Sequence, residues 1–323
     1  MEIGFIGAGK MAGTLMEKVD GYDGARVTAV CDVDEDAARE AAEPREAAAY
    51  ADHTDLYEGA DLDAVVVAIP PFAYDDQVTR AAERGIDVFV EKPVALRVEQ
   101  GEETLDAIEE AGIVSGTGYV FRYDGITERA RELLEDREIS LLAGRYWSGL
   151  LASSWGNELE LSGGEIVTRT THIYDMARYL AGDVDRVSAA STDRIGTEEI
   201  DYPDATTATL EHENGVVTTV SSGVTSPTWT AELDVLGDDL HLHLDYPSQT
   251  LTGQVGPEAI DYHAPTDRYG REIETFLEAV ERGDPDHVRS DYADALRTLS
   301  VNWTVIDAAA DGEPAAVGET RRS

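Results

Sequence analysis

Glu2-Ile3-Gly4-Phe5-Ile6-Gly7-Ala8-Gly9-Lys10-Met11-Ala12 decides how the rest of the chain is read. A strand pattern from Glu2 to Ile6 runs into a glycine-rich turn, and the turn opens a helical pattern that reaches Val19. The spacing is G-x-G-x-x-A. Its first glycine permits a tight turn, the second lets the backbone approach a pyrophosphate, and the small third residue lets helix and strand pack closely, with the helix N-terminus facing the phosphates. Such a loop alone is a weak signal; its surroundings strengthen it. A second strand, Val27 to Cys31, ends at Asp32, twenty positions beyond Ala12, about the spacing expected of a ribose-binding acid.

Gly7, Ala8, Gly9, Lys10, Met11 and Asp32 are therefore the expected cofactor-binding residues at this end of the chain. A carboxylate at position 32 accepts hydrogen bonds from both adenosine ribose hydroxyls and repels a 2′-phosphate. Val33 and Asp34 follow it, with no arginine to hold such a phosphate. NAD is expected in preference to NADP. The competing reading, an α/β turn that holds no cofactor, has to explain loop, strands and acid as coincidence.

Working outward, Asp34 to Glu43 is an acidic helix and Asp63 to Ile69 a continuous apolar strand, as expected of one covered on both faces. Pro70-Pro71 stops it. A helix from Tyr74 to Arg84 and a strand in Asp87-Val88-Phe89-Val90 deliver Glu91-Lys92-Pro93. The chain has three lysines, Lys10, Lys18 and Lys92, so lysine is disfavoured wherever a plain positive charge would serve. Lys92 then stands out: a compact ammonium at the carboxyl end of a parallel strand, where open α/β sheets bind ligands. The bland alternative is a solvated lysine at a turn. A helix from Leu96 to Glu110 and a last strand lead to Gly118-Tyr119-Val120-Phe121-Arg122-Tyr123, completing a doubly wound pattern.

Gly7 to Ala12, Ala68-Ile69-Pro70-Pro71, Glu91-Lys92-Pro93, Gly118 to Arg122 and Thr171-His172-Ile173-Tyr174-Asp175 together resemble the Gfo/Idh/MocA family of NAD(P)-dependent oxidoreductases, in the same order and at similar spacing. The resemblance implies an N-terminal Rossmann domain, residues 1–120. It also implies a C-terminal α+β domain, residues 121–310, with a large, open, mostly antiparallel sheet that binds substrate and makes oligomer contacts. It adds Ile69, Pro70, Pro71, Glu91 and Lys92 to the cofactor-binding set and places Tyr119 and Arg122 near nicotinamide and substrate; core packing is the alternative for Tyr119.

The second half carries a helix from Asp124 to Glu138 and strand patterns near 141–147, 184–192, 205–212, 216–222, 231–236 and 240–245. Asn214-Gly215 between two of them is a hairpin signal. Helices are expected over Arg268 to Arg282 and Tyr292 to Ala310, and residues 311–323 read as a polar tail.

Gly163 to Leu180 is the segment expected to carry chemistry. Ile173, Met176, Ala177 and Leu180 mark a buried helical stripe, with His172, Asp175 and Tyr179 on another face and Thr168 joining it if the helix starts early. A lone histidine on such a helix is more often structural than catalytic; the resemblance reverses that, because the matching His and Asp contact substrate. Oxidising a secondary alcohol needs an acceptor for hydride and a base for the hydroxyl proton. His172 is the expected general acid/base and Lys92 the donor to the reacting oxygen. Asp175 would orient His172 or grip another hydroxyl. An exposed helix acid is its structural alternative. Two departures from the family pattern matter: Thr168 stands where an acid is usual, four residues before the histidine, and Tyr74 where a histidine is common. Trp155, in a Ser/Gly-rich loop, is a candidate to stack on a sugar face or to fill core. His241, His243 and Asp245 alternate along one strand face; with no fourth ligand nearby, a wet or interface face is the better reading than a metal site.

Composition bounds the function. Sixty-six acids against 25 bases give a net charge of −41, spread along 323 residues. Net repulsion argues against nucleic acid or an anionic membrane as partner, and no apolar run approaches membrane-spanning length. The chain reads as a cytoplasmic homodimer or homotetramer acting on a small polyhydroxylated substrate, from a source that keeps concentrated salt in its cytoplasm. The single cysteine, Cys31, excludes an intrachain disulfide. Two rivals use the same fold: a non-catalytic NAD or sugar sensor, and a lyase or glycosidase that uses bound NAD transiently.

Overall fold

The computed structural model describes residues 1–318; part of the stretch read as a polar tail, residues 319–323, lies outside the described residues. The chain divides into two compact units, one of Met1–Tyr119 with Asp267–Leu296, the other of Val120–Thr266 with the residues from Arg297 onward.

The first unit alternates strand and helix: β1 (Glu2–Ile6), α1 (Lys10–Asp20), β2 (Arg26–Cys31), α2 (Glu35–Ala42), β3 (Ala48–Tyr50), α3 (His53–Gly59), β4 (Ala64–Val67), α4 (Gln77–Ala82), β5 (Asp87–Val90), α5 (Val98–Ala111) and β6 (Ser115–Thr117). All six strands are parallel, in the order β3-β2-β1-β4-β5-β6, which puts the reversal of strand order between β1 and β4. Every residue of β4 is buried, and the pleat divides them. Val65 and Val67 join Val88, Val90, Val78 and Ala81 on one face, while Ala64 and Val66 join Phe5, Leu15, Met16 and Phe89 on the other. The break after Tyr119 lies one residue from the expected division, and that second face explains why Asp267–Leu296 falls outside the expected 121–310 domain. Helix Arg268–Arg282 buries Ile273, Phe276, Leu277 and Ala279 in the same cluster, with Phe276 edge-on to Phe89 at 5.5 Å, so Asp267–Leu296 belongs with the first unit. A distant hydrophobic face, not chain order, assigns it.

The second unit holds α6 (Gly125–Leu134), β7 (Ile139–Trp147), α7 (Leu159–Ser162), α8 (Thr171–Ala181), β8 (Val184–Thr192), β9 (Ala205–His212), β10 (Val217–Gly223), β11 (Thr230–Gly237), β12 (Leu240–Asp245), β13 (Thr250–Val255) and β14 (Glu258–His263). With the short strand Ala315–Ala316 they form one sheet, ordered β14-β13-β12-β11-β7-β10-β9-β8 and then Ala315–Ala316. Pairing is antiparallel except between β7 and β10. Asn214-Gly215 does close the β9–β10 hairpin: Gly215 takes φ 88°, and Val216 N donates to Asn214 Oδ1 at 3.1 Å. Strands β13 and β14 go beyond the sequence reading, as does Ala315–Ala316, paired with β8 inside the stretch read as tail.

Along β7, Leu142, Gly144 and Tyr146 are buried while Leu141, Arg145 and Trp147 alternate to the other face. Leu236 lies opposite Leu141 and Glu232 opposite Arg145. This open face therefore mixes exposed apolar groups with ion pairs.

Candidate active-site residues

In the first unit, loops after β1, β2, β4 and β5 emerge at the carboxyl end of the sheet, beside the reversal in strand order. Gly7 N donates to Cys31 O at 2.8 Å and the residue takes φ 105°; an added Cβ would lie 2.4 Å from Ala68 O. Only glycine suits that turn. Gly9 meets a different demand. It caps α1 with φ −71°, an ordinary value, and a Cβ there would touch nothing within 4 Å. Nothing in the protein itself requires a glycine there, and the backbone stands open to the approach of a ligand. Helix α1 has no side-chain cap and no acid in its first turn, leaving its N-terminal amides to meet an anion. Asp32 ties the loop together, accepting from Ala8 N at 2.7 Å and Asp34 N at 2.9 Å. Lys10 is exposed and Met11 half-buried at the start of α1. Open space, unclaimed amides and a carboxylate at the end of β2 fit a dinucleotide.

Ile69 and Pro70 are half-buried and Pro71 is buried after β4, where a short 3₁₀ turn runs Pro71–Ala73. Next along the sheet, Glu91 N donates to Val67 O at 2.9 Å, and Lys92 N donates to Glu91 Oε2 at 3.1 Å. The Lys92–Pro93 peptide is cis. Burial raises the pKa of Glu91, partly offset by the neighbouring Lys92 charge. Tyr74, the residue standing in for histidine, donates its hydroxyl to Glu91 O at 3.0 Å. Burial pushes that phenol well above its ordinary pKa, so Tyr74 braces the Glu91-Lys92 turn rather than acting as a base. Tyr119 is 1% exposed and packs in the core with Val90, Val94, Tyr292 and Ala295.

In the second unit, a π turn precedes the helix that carries His172. Helix α7 ends at a glycine pair with positive φ, Gly163 and Gly164; a π-helical turn follows over Ile166–Thr170, and α8 then carries His172. Thr168 lies in the π turn and donates its hydroxyl to Gly164 O at 2.7 Å. Such a side-chain bond competes with the regular helical ladder. It also means that the hydroxyl is engaged with the backbone.

Asp175 is fully buried. Arg122, 3% exposed, grips it with both arms of the guanidinium, Nε to Oδ2 at 2.9 Å and Nη2 to Oδ1, and Thr298 Oγ1 donates to Oδ1 at 3.3 Å. Arg122 also lies over the Tyr179 ring at 4.6 Å. Both Asp175 oxygens are bound by protein and the side chain is fully buried, so it anchors Arg122. Arg169 donates to Glu165 Oε2 and Gly149 O, at 2.6 and 2.7 Å. His172 is buried at the start of α8, its ring 4.8 Å from that of Phe121. Phe121 lies within the Gly118–Arg122 stretch without being singled out there, and its stacking partner Tyr246 belongs to no motif; only the fold brings them to the histidine. Trp155 is half-buried in a 3₁₀ turn, Ser154–Asn157.

On the open sheet face, His241 and His243 both approach Asp234 Oδ1, at 3.2 and 2.9 Å, while Asp245 accepts from Ser248 N. The strand trio is thus divided between two local networks. Among the described residues no cluster of His, Cys, Asp and Glu is arranged to hold a metal, and no helix is long and apolar enough to cross a membrane.

Comparison with known proteins adds independent findings. Residues 1–119 match the Gfo/Idh/MocA model described as an oxidoreductase family with an NAD-binding Rossmann fold, and residues 128–243 match the Gfo/Idh/MocA C-terminal domain. The first unit is thus an NAD-binding domain. Myo-inositol 2-dehydrogenase of Thermotoga maritima is 27% identical over 304 residues, 89% of this chain and 90% of that protein. D-xylose 1-dehydrogenase (NADP⁺) 2 of Haloferax volcanii is 28% identical over 267 residues, 78% and 80% of the two chains. The fold is shared with levoglucosan dehydrogenase solved with NADH and levoglucosan, TM-score 0.89 over 99% of this chain and 100% of that one at 19% identity.

Proposed function

The chain belongs to the Gfo/Idh/MocA family of oxidoreductases, dehydrogenases acting on CH–OH groups, and from that premise we propose that it acts on a small polyhydroxylated molecule, a sugar, sugar acid, inositol or related polyol, with NAD rather than NADP. Lys92 is the observation that carries this reading: one of three lysines, at the carboxyl end of β5, with the buried Glu91 beside it. Asp32 supports NAD, because its carboxylate repels a 2′-phosphate and no arginine follows it closely. Bound NAD supplies the acceptor for the hydride.

The chain's own residues handle the oxygen. Lys92 Nζ donates a hydrogen bond to the reacting hydroxyl and favours the alkoxide as its proton leaves. The imidazole of His172 takes that proton in oxidation and returns it in reduction. Thr168 supplies no carboxylate and Tyr74 no base, so this division of labour rests on Lys92 and His172. Trp155 offers an aromatic face to the ring carbons of the substrate. Similarity to inositol and xylose dehydrogenases supports the substrate class. The exposed Leu141, Trp147 and Leu236 on the open sheet face support a homodimer or homotetramer assembled through that face.

The test is NADH formation in molar KCl with NAD and then NADP, across sugars, sugar acids and inositols, alongside Lys92→Ala. Turnover with NAD that the variant lacks is the expected result. Thr168 in place of an acid favours a second reading: a sensor, or an enzyme that uses NAD transiently. NAD binding without NADH from any substrate would replace the first reading by this one, and product analysis would separate its two forms.

A further inference from the structure

We propose that Phe121, backed by Tyr246, is a positioning residue for His172: its ring fixes the plane of the imidazole and presents a π face to the imidazolium formed when His172 takes a proton. The inference deepens the proposed function and rests on its assignment of His172. Phe121 is 3% exposed, on the short 3₁₀ turn Val120–Tyr123; its ring centroid stands 4.8 Å from that of His172, with 34° between the planes. The same Phe121 ring is stacked on Tyr246 at 3.9 Å and 1°. Tyr246 is itself immobilised. It is fully buried, its N donates to Ala231 O at 3.0 Å, and its hydroxyl lies 3.2 Å from Thr127 Oγ1 on α6.

Two adjacent residues of the turn therefore hold α8 at points one helical turn apart: Phe121 against His172 and Arg122 against Asp175. The second contact is electrostatic and falls on Asp175; the first acts on the imidazole ring itself. An aromatic face attracts a cation within about 6 Å of its centroid. When a substrate O–H bond breaks and its proton passes to His172, positive charge appears on a ring already at that range. The stack then stabilises the charged product of the step more than the neutral ring that begins it.

Other charges near α8 are accounted for. Arg122 is bound to Asp175 and Arg169 to Glu165. Arg178, within α8, is bound to Asp183. On β7 and β11, Arg145, Glu232 and Asp234 alternate with the buried residues and share the open face, where Arg145 pairs with Glu232. Tyr123 and Tyr146 are the remaining titratable groups on the 3₁₀ turn and β7, and β10, also packed on α8, carries none. These ionised groups are matched in pairs, and the aromatic stack acts directly on the imidazole ring.

Phe121→Leu keeps apolar volume and removes the π face. With His172 identified among the seven histidines by His172→Asn, its ring carbon resonances followed against pH give its pKa in the NAD-bound protein. We expect the pKa to fall by about half a unit to one unit in Phe121→Leu and to stay at the wild-type value in Phe121→Tyr. Pentafluorophenylalanine at position 121 keeps the shape and reverses the quadrupole; it should lower the pKa as well, and it serves if the leucine variant does not fold. An unchanged or raised pKa in the leucine or fluorinated protein overturns the proposal. So does a fall in ring pKa that leaves the acidic limb of kcat/KM in place. Loss of turnover in His172→Asn tests the dehydrogenase reading instead, so the two can fail separately.

Discussion

Glu91 shows how burial at one residue becomes a pH dependence. Its carboxyl titrates above the ordinary value of 4.5 because desolvation outweighs the attraction of Lys92. The folded state therefore binds the proton more tightly than the unfolded chain, and the stabilisation this gives is complete below about pH 4.5 and lost as pH rises through the raised folded value. Replacing the acid by an amide removes the loss while keeping an oxygen to accept from Lys92 N. Glu91→Gln should thus melt above wild type at pH 8, with the gap closing toward pH 4.5, in paired thermal melts. A gap independent of pH would mean packing, not ionisation, sets the difference. Asp175 obeys the opposite logic, since its charge is matched. Asp175→Asn leaves the Arg122 guanidinium buried without its counter-charge, and a loss of about 3–5 kcal/mol is expected from denaturant unfolding. A loss under about 1 kcal/mol would show that the pair is not held as tightly as its bidentate geometry implies.

At the scale of elements, the glycine loop separates what the fold needs from what the cofactor needs. Gly7→Ala forces a Cβ to within 2.4 Å of Ala68 O from a backbone at φ 105°, so it should cost stability, on the order of 1–3 kcal/mol, with or without NAD. Gly9→Ala meets nothing within 4 Å and should leave the melting temperature of the NAD-free protein unchanged while weakening NAD binding at least tenfold by calorimetry. Equal NAD affinity in Gly9→Ala would remove the loop from the cofactor's surface. This division was legible because β1, the loop and α1 are contiguous and locally encoded. The same holds for β5, whose apolar run ends at Glu91, and for helix Arg268–Arg282, whose ends coincide with the reading. Its place in the fold was not legible, because Phe276 meets Phe89 across most of the chain. Strands β13 and β14 were hidden by polar, weakly alternating sequence such as Thr250-Leu251-Thr252-Gly253, and the π turn by the hydroxyl bond of Thr168, which no periodicity displays. Asp175 was recognised as a site residue, but its pairing with Arg122 was not legible: spacing puts it one turn from His172, and only the fold brings Arg122 to it.

For the whole molecule the governing quantity is charge. A net −41 on 323 residues is dispersed over both units, so its cost is paid in every salt bridge and helix that must fold against the surrounding field. Local pairs do not cancel it. Several are exposed, such as Arg39 with Glu35 and Asp36 and Arg282 with Glu278, and pairs of this kind contribute under about 1 kcal/mol each. Screening acts on the total. The Debye length falls from about 10 Å at 0.1 M to about 3 Å at 1 M, which is shorter than the spacing between most surface carboxylates on a protein of this size. Stability should therefore rise steeply between 0.1 and 1 M KCl and then flatten, with the melting temperature higher by about 10 °C at the plateau, on the order of 7 kcal/mol at about 2.1 cal/mol/K of unfolding entropy per residue. Sucrose at matched osmolality stabilises by exclusion without screening, so it should not reproduce the rise. If sucrose matches KCl, or if the protein melts at the same temperature in 0.1 M and 1 M salt, the acidic surface is not a device for concentrated salt and the inferred high-salt cytoplasm falls with it.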